Sequence, residues 1–364
     1  MKSVTDTKLR SQTRRPDLAI LWLSVLLLLP AGLAAKTNKP AALFKDPSEL
    51  KITLSGPWRT VKSQIKKDIR YPAQLTYIDA DGQQRILDVE VAPRGISRRN
   101  LVCKFPPLKV YFDKEQTKDT AFRGNKSLKL VSYCHSSPKY EQYNIKEFLI
   151  YRIYNLITDL SFRVKPLVVD YVDTVKKGKP VTRFGFLIED IDAVAKRNKL
   201  KKLKSGRVTI KQLDPAETSK YMLFQYLVGN LDWSATSGKS ETRCCHNSRA
   251  IGKSDNELPK YMIPYDFDST GLVSTHYAAP PLGLKVGTNI RQRLYRGFCM
   301  HNDFLPKAAE LFAQERENIV ALFTDDKHLN DRIRAKAINY LGGFYTVLND
   351  PKRFKSKITD KCRG

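Results

Sequence analysis

Acidic residues are in short supply. The 364-residue chain holds 37 Asp and Glu against 64 Lys and Arg, a formal net charge of +27. Such an excess points to an anionic partner, either nucleic acid, a lipid surface or a phosphorylated ligand, with plain solubility as the bland account. No C-x-x-C pair occurs, and without it the usual spacing of a zinc site is missing. No G-x-G-x-x-G loop occurs either, so any phosphate must be held by some other turn. There is no internal repeat and no specific nucleic-acid-binding motif.

The N-terminus suggests export. Lys8, Arg10, Arg14 and Arg15 precede the apolar run LAILWLSVLLLLPAGLAA, which ends in small residues. A basic segment, an apolar segment and a small-residue exit describe a secretory signal peptide over residues 1–35, with the chain then secreted or periplasmic. An uncleaved N-terminal membrane anchor is the alternative, because the run falls just short of the ~20 residues that span a bilayer. Six cysteines follow: Cys103, Cys134, Cys244, Cys245, Cys299 and Cys362. An even number in an oxidising compartment reads as disulfides, and sequence alone does not choose the pairing.

Residues 36–50 read as a polar linker. AQLTYIDADGQQRILDVEV is two alternating runs around Ala80-Asp81-Gly82, a hairpin pattern. NIKEFLIYRIYNLIT has helical spacing, and VKPLVVDYVDT and VTRFGFLIED are strands about a Lys-Gly turn. AKRNKLKKLKSGR is a basic, exposed segment. LDPAETSKYMLFQYLVGN is a helix capped by Asp214, with Pro215 in its first turn, Glu217 at capping-box spacing and Gly229-Asn230 at its end. Two further helices are expected near 303–323 and 328–347. Strands dominate 51–190, helices dominate 191–350, and 351–364 is a tail.

The chemistry centres on YMIPYDFDSTG, an apolar strand that runs straight into Asp266 and Asp268. Residues i and i+2 of a strand share a face, so the two charges need a partner. A divalent metal is one answer; nearby Arg or Lys side chains are the other. Upstream, Asp232 stands just past a helix end, and His246 and Asn247 begin a strand. A helix, a loop acid, an Asn and a strand ending in an acid follow the order used for phosphoryl transfer. There the loop Asp takes the hydroxyl proton, while Asn and the later Asp hold metal ions. In the first half, Lys109 in LKVYF and Glu147 in the next helix can pair to position the lysine on nucleotide phosphates.

RGISRR, FPPLKVYF, FGFLIEDID, NLDW and IPYDFDSTG together resemble the atypical secreted kinases related to the spore-coat protein CotH. The resemblance covers roughly residues 55–300. It implies an α+β, two-lobed protein-kinase-like fold with a strand-rich N-lobe and a helix-rich C-lobe. It also implies a phosphotransferase using ATP with Mg²⁺ or Mn²⁺. Under it, Asp232 is the catalytic-loop acid, Asn247, Asp266 and Asp268 hold metal, and Glu189 lies near the lobe junction where adenine binds. Arg94, Gly95 and Ser97 would cradle phosphate in place of a glycine loop, and Lys104 and Lys109 are both open as the phosphate lysine. One departure stands out: the place five residues after Asp232, usually Asn, is Ser237.

Each assignment has a structural counterpart. Asp232 can cap a turn, Lys109 and Glu147 can be a surface ion pair, and Glu189 can belong to a solvated acidic cluster. Asp268 can pair with an arginine such as Arg293 or Arg296, and His246 is expected to be structural. Three functions fit the chain: an exported kinase-like enzyme whose acceptor is a protein or an anionic envelope component, a non-catalytic binding module for such a component, and a metal-dependent nucleotide-sugar transferase. The strand-first order disfavours the last, whose nucleotide-binding folds alternate strands and helices.

Overall fold

The computed structural model describes residues 42–204, 206–238, 244–284 and 286–364. The expected signal peptide lies outside them, as does the first part of the expected linker. Leu43 and Phe44, still within that linker, are already buried against the core.

Seven strands form the first half of the molecule: β1 (Leu50–Gly56), β2 (Tyr71–Ile78), β3 (Gln84–Pro93), β4 (Leu108–Phe112), β5 (Ser127–Val131), β6 (Val164–Asp173) and β7 (Val181–Ile188). β1 to β4 alternate as strands with one buried face must, while β6 opens and β7 ends in a run of buried residues. In β3, Leu87, Val89 and Val91 are buried while Asp88 and Glu90 face solvent. β2 and β3 are the expected hairpin, turning through Asp79–Gln83. The strands then close into a barrel in the order β1-β2-β3-β4-β5-β7-β6. Closure comes from parallel pairing of β1 with β6, from Leu50 opposite Leu167 to Gly56 opposite Asp173. Leu54, Val91, Phe105, Leu108, Leu130, Leu167 and Val169 fill the interior.

This corrects the two-lobed kinase-like fold expected from the sequence. The strands form a closed seven-stranded barrel in a mixed α/β protein, not the strand lobe of a kinase. The physical reason is that the decisive contact is non-local. Alternation reveals each strand but not a parallel partner beyond several intervening elements.

α1 (Trp58–Ser63) packs against β6, and α2 (Pro138–Ile157) packs on β7 with nearly every face buried. After β7 come α3 (Ile191–Arg197), the short exposed β8 (Lys201–Lys202) and α4 (Pro215–Val228). β9 (Ser248–Gly252) and β10 (Tyr261–Pro264) follow, then α5 (Leu305–Gln314), α6 (Arg316–Thr324), α7 (Asp331–Leu348) and α8 (Pro351–Lys357). β8, β9 and β10 make a small antiparallel sheet. α2 and β7 share one continuous core with α4, α5, α6 and α7.

α4 starts and stops where its sequence says it should. Asp214 Oδ1 accepts from the Glu217 amide at 2.8 Å, and Gly229 ends the helix in the left-handed region at φ 64°. Glu217 does not close a capping box: its carboxylate takes Thr158 and Lys220 instead. The helix expected over 303–323 is two helices, broken at Glu315. Among the described residues no helix is long and apolar enough to cross a membrane. Cys103 and Cys134 lie within disulfide distance (Cα–Cα 4.6 Å), as do Cys299 and Cys362 (5.0 Å); the third pair is the adjacent Cys244 and Cys245.

Candidate functional site

The acids after β10 find a cation. β10 stops at Pro264, and Asp266 takes a left-handed conformation at φ 66°. Its backbone N–H donates to Tyr151 Oη at 3.0 Å, while Phe267 is fully buried against Tyr151 and Phe224. A buried ring between two acids sends both carboxylates the other way, onto Arg98. Arg98 Nη2 reaches Asp266 Oδ1 at 3.4 Å, and Nε reaches Asp268 Oδ2 at 3.3 Å. The same guanidinium forks onto Glu147 at 2.9 and 3.3 Å. Three carboxylates thus share one arginine.

Burial pushes the Glu147 carboxyl up to about 7, against the pull of Arg98, with Asp268 and Asp266 adding to the rise. Burial also pushes Asp268 up. Tyr277 donates to Asp268 at 3.1 Å and Ser269 at 3.3 Å, so Asp268 is structurally occupied. Asp266 differs: its side chain is 42% exposed against 14% for Asp268, and Arg98 is its one ion-pair partner among the described residues.

Asp232 follows the end of α4. Its Oδ1 meets His246 Nε2 at 2.6 Å, and Asn247 Nδ2 donates to its Oδ2 at 3.2 Å and its carbonyl at 2.7 Å. Asn247, at φ 49°, immediately precedes β9, and its carbonyl accepts from the Tyr265 amide at 3.1 Å. The β9–β10 pairing therefore ties Asp232, through Asn247, to the strand end that carries Asp266. Asp232, Trp233, Ser234, Ser237 and His246 line an open cavity of about 240 Å³. Ser237 bonds Ser234, and Asn247 reaches Asp232 from the far end of the intervening loop.

A basic wall faces Asp266. Lys129 on β5 and Arg249 on β9 lie over the Tyr265 ring at 5.0 and 4.5 Å. Burial and the charges of Arg94 and Arg249 hold the Lys129 ammonium down to about 8, with Asp266 and Asp190 opposing. Arg94 Nε donates to the Leu108 carbonyl at 3.1 Å, and its Nη2 is buried with no hydrogen-bond partner among the described residues. Burial, then Arg98, lowers its pKa.

The remaining expected residues go elsewhere. Lys109 does not pair with Glu147, which Arg98 has taken. Lys109 lies over Tyr111 at 4.8 Å, directly across the β4–β5 ladder from Lys129, one strand further away. Lys104 is exposed, and its backbone N–H is tied to Cys134. Ser97 is exposed and caps nothing. Glu189 is buried against Arg197 at 3.2 Å and accepts from the Arg163 amide at 3.1 Å, so it fastens α3 to the barrel. Arg293 and Arg296, weighed as partners for Asp268, bind backbone carbonyls. Sequence reasoning missed Arg98, Lys129 and Arg249. A lysine at an outward position of SLKLV was the available signal for Lys129; Arg98 sits in a segment read as loop.

Among the described residues no group of three or more His, Cys, Asp or Glu is placed to hold a metal ion. The donors at hand are the exposed Asp266 carboxylate and the adjacent Asn247. That fits Mg²⁺, which takes one or two carboxylates and completes its shell with phosphate oxygens and water. Asp268 does not fit as a second ligand while Arg98 and Tyr277 hold it. No family model matches the chain, and no curated protein matches it in sequence.

Proposed function

We propose that this protein is a metal-dependent phosphotransferase using a nucleoside triphosphate, with its acceptor hydroxyl entering beside Asp232. The observation that carries the reading is twofold: Asn247 ties Asp232 to the strand end that carries Asp266, and Lys129, Arg94 and Arg249 gather around Tyr265 beside Asp266. A carboxylate held by His246 and Asn247 is positioned to accept a proton from an incoming hydroxyl. The basic wall supplies charge to the transferring phosphate oxygens, a stabilisation that grows where water is excluded. Asp266, with Asn247, would hold Mg²⁺ or Mn²⁺, which would supply charge neutralisation to the nucleotide's phosphates. The basic–apolar–small N-terminus and the cysteine pairs support an extracytoplasmic location, with a protein or anionic envelope component as acceptor.

Paired variants test the roles. Asp232→Asn should keep nucleotide affinity while transfer falls ~10²–10⁴-fold. Asp266→Asn should abolish metal-dependent nucleotide binding, and Lys129→Met should weaken it with or without metal. Wild-type protein that binds no nucleotide at any metal concentration would sink the proposal. A second reading, nucleotide binding without turnover, draws on the clamp of Arg98 over Asp268. It predicts binding that Asp266→Asn removes and no transfer for Asp232→Asn to diminish.

A further inference from the structure

Away from Asp232, a cleft of about 760 Å³ opens between α2, the segment 272–276 and α7. Its charged lining is of one sign: Lys139 and Lys146 from α2, Arg291 from the loop before α5, and Lys336 from α7, with His276 beside them. Among the described residues no Asp or Glu lines it. The acid nearest on α7, Asp331, is committed to Arg334.

Lys146 is the anomaly. It is 6% exposed, and its ammonium donates to the Val273 carbonyl, a neutral group. The charges bearing on it, Arg291 and Lys336, are both positive; they add to burial in holding its pKa down to about 7. A buried ammonium without a counter-ion is costly, by several kcal/mol per ion. Tyr143 offers its ring to Lys146 at 5.4 Å and to Lys139 at 5.9 Å, which recovers part of that cost. What remains missing is negative charge at the centre of the cleft.

We infer that this cleft is a second anion site, which takes a ligand carrying two or more phosphate groups, with Lys146 at its floor and Lys139, Arg291 and Lys336 around its rim. Cations on three sides suit a multiply charged oxyanion better than a single carboxylate, since each phosphate oxygen can meet a separate donor. The segment that forms one wall also steadies the first site. Thr275 donates to the Asp268 carbonyl at 3.2 Å, and Tyr277 donates to its carboxylate.

The test is a thermal-shift and calorimetric titration of the full chain with inorganic pyrophosphate, with orthophosphate and citrate alongside. Pyrophosphate should raise the melting temperature saturably and bind more tightly than either comparator. In the Lys129→Met background, where the first site's phosphate contact is removed, Lys146→Met should abolish that rise while leaving the unliganded protein at least as stable, because a buried charge has gone. Arg291→Gln with Lys336→Gln, at half-exposed and exposed positions that spare the fold, should weaken pyrophosphate at least tenfold. Lys129→Met should leave the effect in place, which separates this cleft from the Asp232 site. Absence of a wild-type shift, an unchanged shift in the Arg291/Lys336 double variant, loss of it in Lys129→Met, or citrate binding as tightly would each overturn the assignment.

Discussion

Replacing Arg98 by methionine removes the one cation that Glu147, Asp266 and Asp268 share. Methionine keeps much of the stem's volume, so the change is chiefly electrostatic. The Arg98 side chain is 10% exposed and that of Glu147 is 2% exposed, so little water is available to screen what is left. Taking one partner from such a pair costs ~3–5 kcal/mol, since the surviving charge is buried and uncompensated. The penalty depends on pH, and its sign follows from the carboxyls. Glu147 already sits above its ordinary range, at about 7, with Arg98 opposing the rise; without Arg98 it moves higher, and Asp268 moves with it. A carboxyl whose folded-state pKa is raised makes the folded state the better proton binder, so the cost is full above that pKa and recedes as pH falls towards the unfolded value. Urea titrations at about pH 8 and about pH 5 should therefore show a large loss at the first and a smaller one at the second. Arg98→Met combined with Glu147→Gln should recover part of the loss at about pH 8. A deficit below ~1 kcal/mol at both pH values, or one that grows towards acid, would refute the shared-guanidinium account.

Three further expectations concern fold and charge. Gly229→Ala should cost ~2–4 kcal/mol in urea unfolding, because a Cβ there meets the Tyr340 hydroxyl as well as an unfavourable φ of 64°; Gly82→Ala, at φ 78° with open space around it, should cost only ~1–2 kcal/mol. Cys103→Ser with Cys134→Ser should lower stability by ~2–4 kcal/mol, and alkylation without reductant should leave these thiols unlabelled in wild type; free labelling of both would dispose of the bridge. Nucleotide affinity should fall steeply between about 0.05 and 0.5 M salt, as the Debye length shrinks from over ~10 Å to a few; a flat response would mean that the +27 charge serves solubility alone.

Local signals were legible because they act over a few residues. Asp214, Pro215 and Gly229 announce α4 through cap and backbone chemistry, and Asp81-Gly82 announces the β2–β3 hairpin through turn chemistry. The acid after an apolar strand was visible at Asp266 for the same reason. Arg98 was not, because nothing in RGISRRN says which of its arginines turns inward; that choice is made by Glu147 and Asp268, far along the chain. Lys109 and Lys129 occupy equivalent outward positions on neighbouring strands, and only the ladder and the approach of β9 decide which one faces Asp266. Barrel closure escaped for a related reason, since a parallel pair leaves no turn signature between its strands.

That closure governs how the protein must be made. Leu50 is opposite Leu167, so 167 − 50 = 117 residues separate the two ends of the seam. A ribosome adding ~5–20 residues per second needs roughly 6–23 s to cover that interval. Throughout it β1 has β2 on one flank and bare N–H and C=O groups on the other. Unpaired edges of this kind recruit strands from other chains. β6 covers the open flank of β1, and β7, which then pairs with both β5 and β6, turns a nascent sheet with two sticky margins into a barrel with none. Fragments that stop short of β7 keep two open edges and should aggregate, however well their hairpins form.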